Sequence, residues 1–257
     1  MEKQRIQKVI SQLGYCSRRK AEEYLRLGLI EVNGTKVTEM GFLCTPEDEI
    51  KIDGKIINPK EEIKSVYLMV NKPIDVISTA FDPQGRRTVL DLVPTKYGRV
   101  FPVGRLDQNS QGLLILTNDG EFANLVTHPS SAPEKEYIVH VKNPVRGDEI
   151  EKLKKGLYII TEGYKASSAI ADVLDDGEED CVFSIIIHEG KKREVRHMME
   201  TLNHPVISLK RVRIGNIYLG NLEEGKYQEI SPEVILKLKN ECLKNKSENK
   251  KRPDRIR

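Results

Sequence analysis

The apolar positions of the first sixty residues change period as the chain proceeds. Ile6, Val9, Ile10 and Leu13 recur at helical spacing, and Gly14 follows as a terminator. Ser17 is placed to cap a second helix with Ala21, Tyr24, Leu25 and Leu27 on its buried side, closed by Gly28. The pattern then shortens to strands. Ile30 to Val32 and Lys36 to Val37 flank Asn33-Gly34, and Ile50 to Ile57 repeats the arrangement around Asp53-Gly54. Both dipeptides suit a tight hairpin, which needs two residues of positive φ. Residues 1–60 therefore read as a small α/β module, followed by a polar, turn-prone hinge at Asn58 to Glu62.

From Tyr67 a second pattern begins. Strands are expected at 67–71, 100–103, 113–117, 137–141, 158–160, 182–187 and 206–209. Short helices are expected near 88–92, 120–127, 147–154 and 192–202. Many strands with few helices indicate an α+β domain over residues 61–240, built on an antiparallel or mixed sheet. Residues 241–257 are polar and basic and read as a disordered tail.

Composition narrows the class. No apolar run approaches the ~20 residues of a membrane helix, and no signal-peptide core follows the N-terminus, so a cytoplasmic protein is expected. Cys16, Cys44, Cys181 and Cys242 form no Cys-x-x-Cys pair, and no His cluster has zinc spacing. Charge is more informative by position than in total. Residues 1–28 and 188–213 each carry seven Lys/Arg against three Asp/Glu, and residues 237–257 carry nine against three. These stretches hold +14 of a chain whose net charge is +3, which leaves −11 for the rest. Basic segments on an acidic body suit a polyanion. Arg18, Arg19 and Lys20 fill the first turn of the second helix, where cations oppose the helix dipole. A docked phosphate would reverse that penalty; an accidental surface cluster is the alternative.

The chemistry centres on one loop. Gly104-Arg105-Leu106-Asp107 follows a strand and precedes Gln108 to Leu114, so a carboxylate sits in a turn-rich segment beside a cation. Spacing alone favours a structural loop with a local Arg–Asp pair over a reactive carboxylate. Farther on, a β-rich run at 182–187 leads into a helix in which Arg193 and Arg196, three apart, are expected to share a face.

These segments together resemble one family. Gly104 to Asp107, with Ser110, Gly112 to Leu114 and Thr117 to Gly120, is similar to the signature of pseudouridine synthases. More narrowly it resembles the ribosomal small- and large-subunit uridine synthases grouped as the RsuA/RluB family. Asn71-Lys72-Pro73, Asp82 to Arg86 with Thr88-Val89, Lys135-Glu136-Tyr137, Glu189 to Met198 and Leu209 to Gly215 resemble its other motifs, in order. The first module is similar to the S4-type RNA-binding domain that the family carries. The match spans roughly residues 4–232.

The resemblance implies a catalytic domain with a mixed, mainly antiparallel sheet flanked by helices. It implies isomerisation of a uridine in ribosomal RNA, a reaction with no redox change and so no metal or organic cofactor; a monomer is the default expectation. Asp107 takes the position of the nucleophile, Tyr137 that of the tyrosine against the base, and Arg196 that of the cation paired with the Asp. Leu209 stands where an apolar residue packs near the base. Arg105, Lys72, Arg86, Arg211 and the Arg18-Arg19-Lys20 cluster are candidate substrate or RNA contacts. The loop from Asp82 leans toward large-subunit RNA, with small-subunit RNA as runner-up. Glu194 stands where Gln is usual, His197 where a second basic side chain is usual, and Asp75 where Gly is common. His128 and His204 read as structural. A non-catalytic ribosome-assembly protein and a carboxylate glycoside hydrolase are the competing classes. The Asp107, Tyr137 and Arg196 set argues against the first, and the RNA-binding module against the second.

Overall fold

The computed structural model describes residues 2–57, 64–188 and 190–250. The expected hinge at 58–62 lies outside them, as do Glu189 and residues 251–257. The chain forms two compact units. The first comprises residues 1–66 with Thr95–Arg99 and Asn118–Gly120; the second holds the remainder.

In the first unit, helices Ile6–Gln12 and Arg18–Arg26 pack with an antiparallel four-stranded sheet ordered Thr35–Val37, Ile30–Val32, Ile50–Ile52, Lys55–Ile56. The hairpin residues adopt the required left-handed backbone: φ is 49° and 77° at Asn33-Gly34, and 51° and 72° at Asp53-Gly54. Ser17 caps the second helix, its Oγ accepting the Lys20 N–H at 3.1 Å. The core joins Ile6, Val9, Ile10, Ala21, Leu25, Ile30, Ile50 and Ile52. Leu27 departs from expectation. It follows the last helical turn as the C-cap residue and is exposed, because the buried stripe ends at Leu25.

The second unit is built on a nine-stranded sheet among the described residues. Its main path runs Ile170–Asp176, Asp180–Ile187, Lys135–Lys142, Val206–Ile214, Gln111–Thr117, Tyr67–Lys72, Tyr227–Glu229. Every pairing is antiparallel except that between Val206–Ile214 and Gln111–Thr117. The α+β class and the mixed, mainly antiparallel sheet are thus as expected. The strand Ile170–Asp176 was not, since it lies at the sheet edge, is exposed at all but one position and is Asp-rich, so no apolar period marks it. One face of the central strands packs Met69, Leu113, Ile115 and Ile214 against Phe122 and Val126 of helix Gly120–Thr127 and Ile235, Leu238 and Cys242 of helix Pro232–Lys250. Leu68, Val70, Leu114 and Leu116, at the alternate positions, are equally buried, so these strands carry core on both faces.

The long last helix corrects the reading of a disordered tail for residues 241–250; residues 251–257 of that reading lie outside the described residues. Residues 241–250 are helical. Ile235, Leu238 and Cys242 recur at one-face spacing and carry the buried seam past residue 240. Asn245 and Asn249 then donate to the Ala132 and Ser130 carbonyls at 3.2 and 3.0 Å. No helix among the described residues is long and apolar enough to cross a membrane.

Candidate active site

Asp107 lies in the loop between strands Phe101–Val103 and Gln111–Thr117 and is half-buried. Four consecutive carbonyls around it are held. Ser78 Oγ donates to Leu106 O at 2.8 Å and accepts the Leu106 N–H at 3.1 Å. Asp107 O accepts the Ser110 N–H at 3.0 Å. Gln108 O accepts the Asp75 N–H at 2.9 Å and Lys72 Nζ at 3.3 Å. Asn109 O accepts an Arg196 guanidinium N–H at 2.7 Å, and the same nitrogen reaches Ser110 Oγ at 3.4 Å. Such satisfaction fixes backbone that would otherwise be a free loop.

The carboxylate itself is not tied down. Arg105 is exposed and forms no ion pair with Asp107 within 4.0 Å, which removes the local Arg–Asp pair that spacing had left open. Arg196 forms no direct ion pair with it, but the two are close enough for Asp107 to raise the Arg196 pKa. One nitrogen of the buried guanidinium donates to the loop carbonyl, while its buried Nε has no partner among the described residues. Burial lowers the Arg196 pKa, the neighbouring Arg193 adds to that, and Asp107 opposes it. Nor do Arg193 and Arg196 share a face. Arg193 precedes helix Glu194–Thr201 with left-handed φ of 54° and turns toward Glu200 at 3.4 Å, whereas Arg196 is buried within the helix.

Lys72 is fully buried, so it cannot be the RNA contact first expected. Its Nζ donates to the Pro73, Val76 and Gln108 carbonyls at 2.7, 2.8 and 3.3 Å and ties two loops together. Burial pushes its pKa down to about 8 against the pull of Asp75 and Asp107.

The sheet aligns a second group. Tyr137 is paired with Arg211, and Arg211 with Gly112, the second residue of the strand that leaves the Asp107 loop. Val139 is paired with Leu209. Directly opposed residues share a face, so Tyr137, Val139, Leu209 and Arg211 line one side of the sheet, and Tyr137 and Leu209 are both buried. Arg211 is only 3 % exposed, which removes it as a phosphate contact. Its Nε donates to Leu113 O at 2.8 Å and its guanidinium stands 6.0 Å from the Tyr137 ring centre. Gly112 permits the parallel pairing: its φ is +103°, and a Cβ there would meet the Arg211 backbone, with the amide N at 2.8 Å.

The remaining candidates lie outward. A cleft of about 350 Å³ beside Asp107 is lined by Ile77 to Thr79, Phe81, Asp82 and Arg105 to Gln108. Arg86 is exposed, but its Nε and Nη2 engage Asp82 at 3.1 and 2.7 Å, a pair that brings Asp82 down to about 2. Arg18 and Arg19 are exposed at the start of their helix, while Lys20 pairs with Glu23 at 2.9 Å. His204 is structural, bonded to Lys142 O and Glu149. Among the family departures, Asp75 occupies left-handed backbone at φ 62°, the conformation for which Gly is suited and which Asp tolerates. Glu194 Oε2 accepts the Lys191 N–H at 3.0 Å, a local role in starting its helix. Ser78 was not anticipated: a lone serine between strand-like residues carries no periodic mark. Phe81 could have been noticed as an aromatic residue in an otherwise polar loop. Among the described residues, no group of three or more His, Cys, Asp or Glu could hold a metal ion.

Comparison with known proteins agrees with this arrangement. The RNA pseudouridylate synthase profile matches residues 66–201, and the S4 domain profile residues 4–50. The chain is 39 % identical to ribosomal large subunit pseudouridine synthase B of Bacillus subtilis over 92 % of this chain and 96 % of the relative. It is 34 % identical to the dual-specificity RNA pseudouridine synthase RluF of Escherichia coli K12, over 91 % of this chain and 78 % of the relative. A crystal structure of a pseudouridylate synthase superposes with a TM-score of 0.66 at 28 % identity, covering 91 % of this chain and 99 % of that one. With its S4 domain, its sheet and its aspartate loop, the chain belongs to the RsuA/RluB family of RNA pseudouridine synthases.

Proposed function

We propose that this enzyme, acting as a monomer, isomerises a uridine of large-subunit ribosomal RNA with Asp107 as nucleophile. The observation that carries the assignment is the Asp107 loop: each carbonyl from Leu106 to Asn109 is satisfied, while among the described residues the carboxylate has no hydrogen-bond or ion-pair partner. A group meant to form and release a covalent adduct must be positioned through its backbone and left free at its oxygens. The Asp107 carboxylate bonds to the ribose C1′ as N1–C1′ breaks, or to the uracil C6 before that bond breaks. The base turns, C5 bonds to C1′, the Asp107 adduct bond breaks to restore the carboxylate, the C5 proton leaves and N1 gains one. Tyr137 offers a ring against the base and a hydroxyl for the C5 proton. Lys72, Ser78 and Arg196 are positioning residues acting through the loop. Arg105 faces the cleft and is free to meet RNA phosphates, with Arg18 and Arg19 on the S4 domain as a second basic patch.

The 39 % identity to a large-subunit synthase over nearly the whole of both chains supports the RNA class. The dual-specificity relative, at 34 %, favours a second reading in which more than one RNA is modified. Tritium release from 5-tritiated uridine in separate large- and small-subunit ribosomal RNA transcripts distinguishes them. Release from large-subunit RNA alone is expected. Release from small-subunit RNA alone overturns the target, and full activity in Asp107→Asn overturns the nucleophile.

A further inference from the structure

Phe81 has no place in the chemistry above, yet it is a large apolar ring left 76 % exposed on the wall of the cleft that contains Asp107. We propose that Phe81 is a stacking platform for an unpaired nucleobase that neighbours the target uridine in the RNA chain; the inference rests on the synthase reading of the same site.

At that exposure the ring is part of no buried cluster among the described residues, so packing does not account for it. Its backbone, by contrast, is fixed from both sides. Thr79 Oγ1 donates to Phe81 O at 2.8 Å and accepts the Phe81 N–H at 3.3 Å. The next residue, Asp82, accepts the Arg86 N–H at 3.0 Å and takes both Nε and Nη2 of its guanidinium. The loop is therefore ordered before any ligand arrives, and an exposed ring on an ordered loop loses little entropy on binding. Arg105 lines the same cleft, and Arg87 is an exposed cation on the loop that carries Phe81. An exposed aromatic ring in a cleft that also holds a cation is the chemistry that takes a single-stranded base with its phosphates.

The neighbour, rather than the target, fits the exposure. The target uracil must reach Asp107 and the buried ring of Tyr137, whereas a base against Phe81 stays at the rim. Extruding a uridine breaks its stacking on the adjacent base, and a platform that restacks that base offsets part of the cost.

The test uses Phe81→Ala, Phe81→Leu and Phe81→Trp with a ribosomal RNA fragment that contains the target. Tritium release is measured at varied RNA and in single turnover at saturation. Binding is measured in an Asp107→Asn background with 2-aminopurine at each position flanking the target, where stacking quenches fluorescence. The Ala and Leu variants are expected to raise the half-saturating concentration about 5- to 150-fold, the range for one stacked base. Their saturated single-turnover rate should stay within about twofold of wild type, because ground-state contacts act on binding. Phe81→Trp should retain wild-type affinity, and quenching at one flanking position should require an aromatic residue at 81. Wild-type affinity in Phe81→Leu reduces the contact to apolar surface and overturns the platform. Unchanged binding in Phe81→Ala does so too while tritium release still upholds the synthase. Ring-dependent quenching without tritium release has a different meaning: Phe81 still stacks a base, but the synthase reading falls and with it the placement of that base beside a target uridine. Failure of every fragment to bind overturns both.

Discussion

Replacing Gly112 by alanine tests the junction on which the site is built. Gly112 is paired in parallel with Arg211, has φ of +103°, and would place a Cβ against the Arg211 amide N at 2.8 Å and carbonyl C at 3.0 Å, closer still to its carbonyl O. The obstructing atoms are backbone, so no rotamer change relieves them. The strained φ alone costs about 1–3 kcal/mol for a residue with a Cβ. Parting the strands also weakens their hydrogen bonds, at roughly 0.5–1.5 kcal/mol each. A total loss of about 3–5 kcal/mol is a large share of the 5–15 kcal/mol typical of a folded domain. Gly225→Ala serves as the control in the same unit, because Gly225 has φ of +76° but nothing within 4 Å of the added Cβ. That variant should lose only about 1 kcal/mol. Urea unfolding monitored by circular dichroism reads both. Tritium release, at a temperature where Gly112→Ala is still folded, should fall at least about tenfold, because the strand displaced by the clash leads directly from the Asp107 loop. Equal stability losses in the two variants would refute the close-approach argument.

Three further outcomes follow from the same structure. Lys72, lowered by burial to about 8, holds its proton less firmly folded than unfolded, so stability rises with pH from about 8 to about 10.5. The stability difference between wild type and Lys72→Met should therefore shift in favour of wild type over that interval, and a pH-independent difference would contradict the assignment. Asp75→Val should destabilise by about 1–2 kcal/mol, since a β-branched residue resists left-handed backbone, while Asp75→Gly should stay within roughly 0.5 kcal/mol of wild type in the same unfolding assay. Deleting residues 241–257 removes the buried Cys242 side chain and the Asn245 and Asn249 hydrogen bonds, and should lower the thermal midpoint by several degrees, about 2 kcal/mol of stability. An unchanged midpoint would mean that this part of the helix contributes nothing.

What could be read from the sequence was whatever local physics imposes. Asn33-Gly34 and Asp53-Gly54 dictate hairpins because so few residues accept two positive φ angles in succession. Gly120–Thr127 shows its helical period without help. The identity of the Asp107 loop was legible only through ordered motifs, since one aspartate among 39 acidic residues carries no local mark. Tertiary structure decided the partners. Lys72, Arg211 and Arg196 are cations, and from sequence a cation near a catalytic motif reads as an RNA contact or an ion-pair partner. Only folding puts all three in the interior, where the nearest acceptors are main-chain carbonyls, so their charges brace the scaffold. Hydrogen bonding to carbonyls 28 to 98 residues away is a property of the sheet and its crossings, which no window of sequence contains. Side-chain periodicity decides which face is buried; where a buried charge must find its partners is settled when the strands meet.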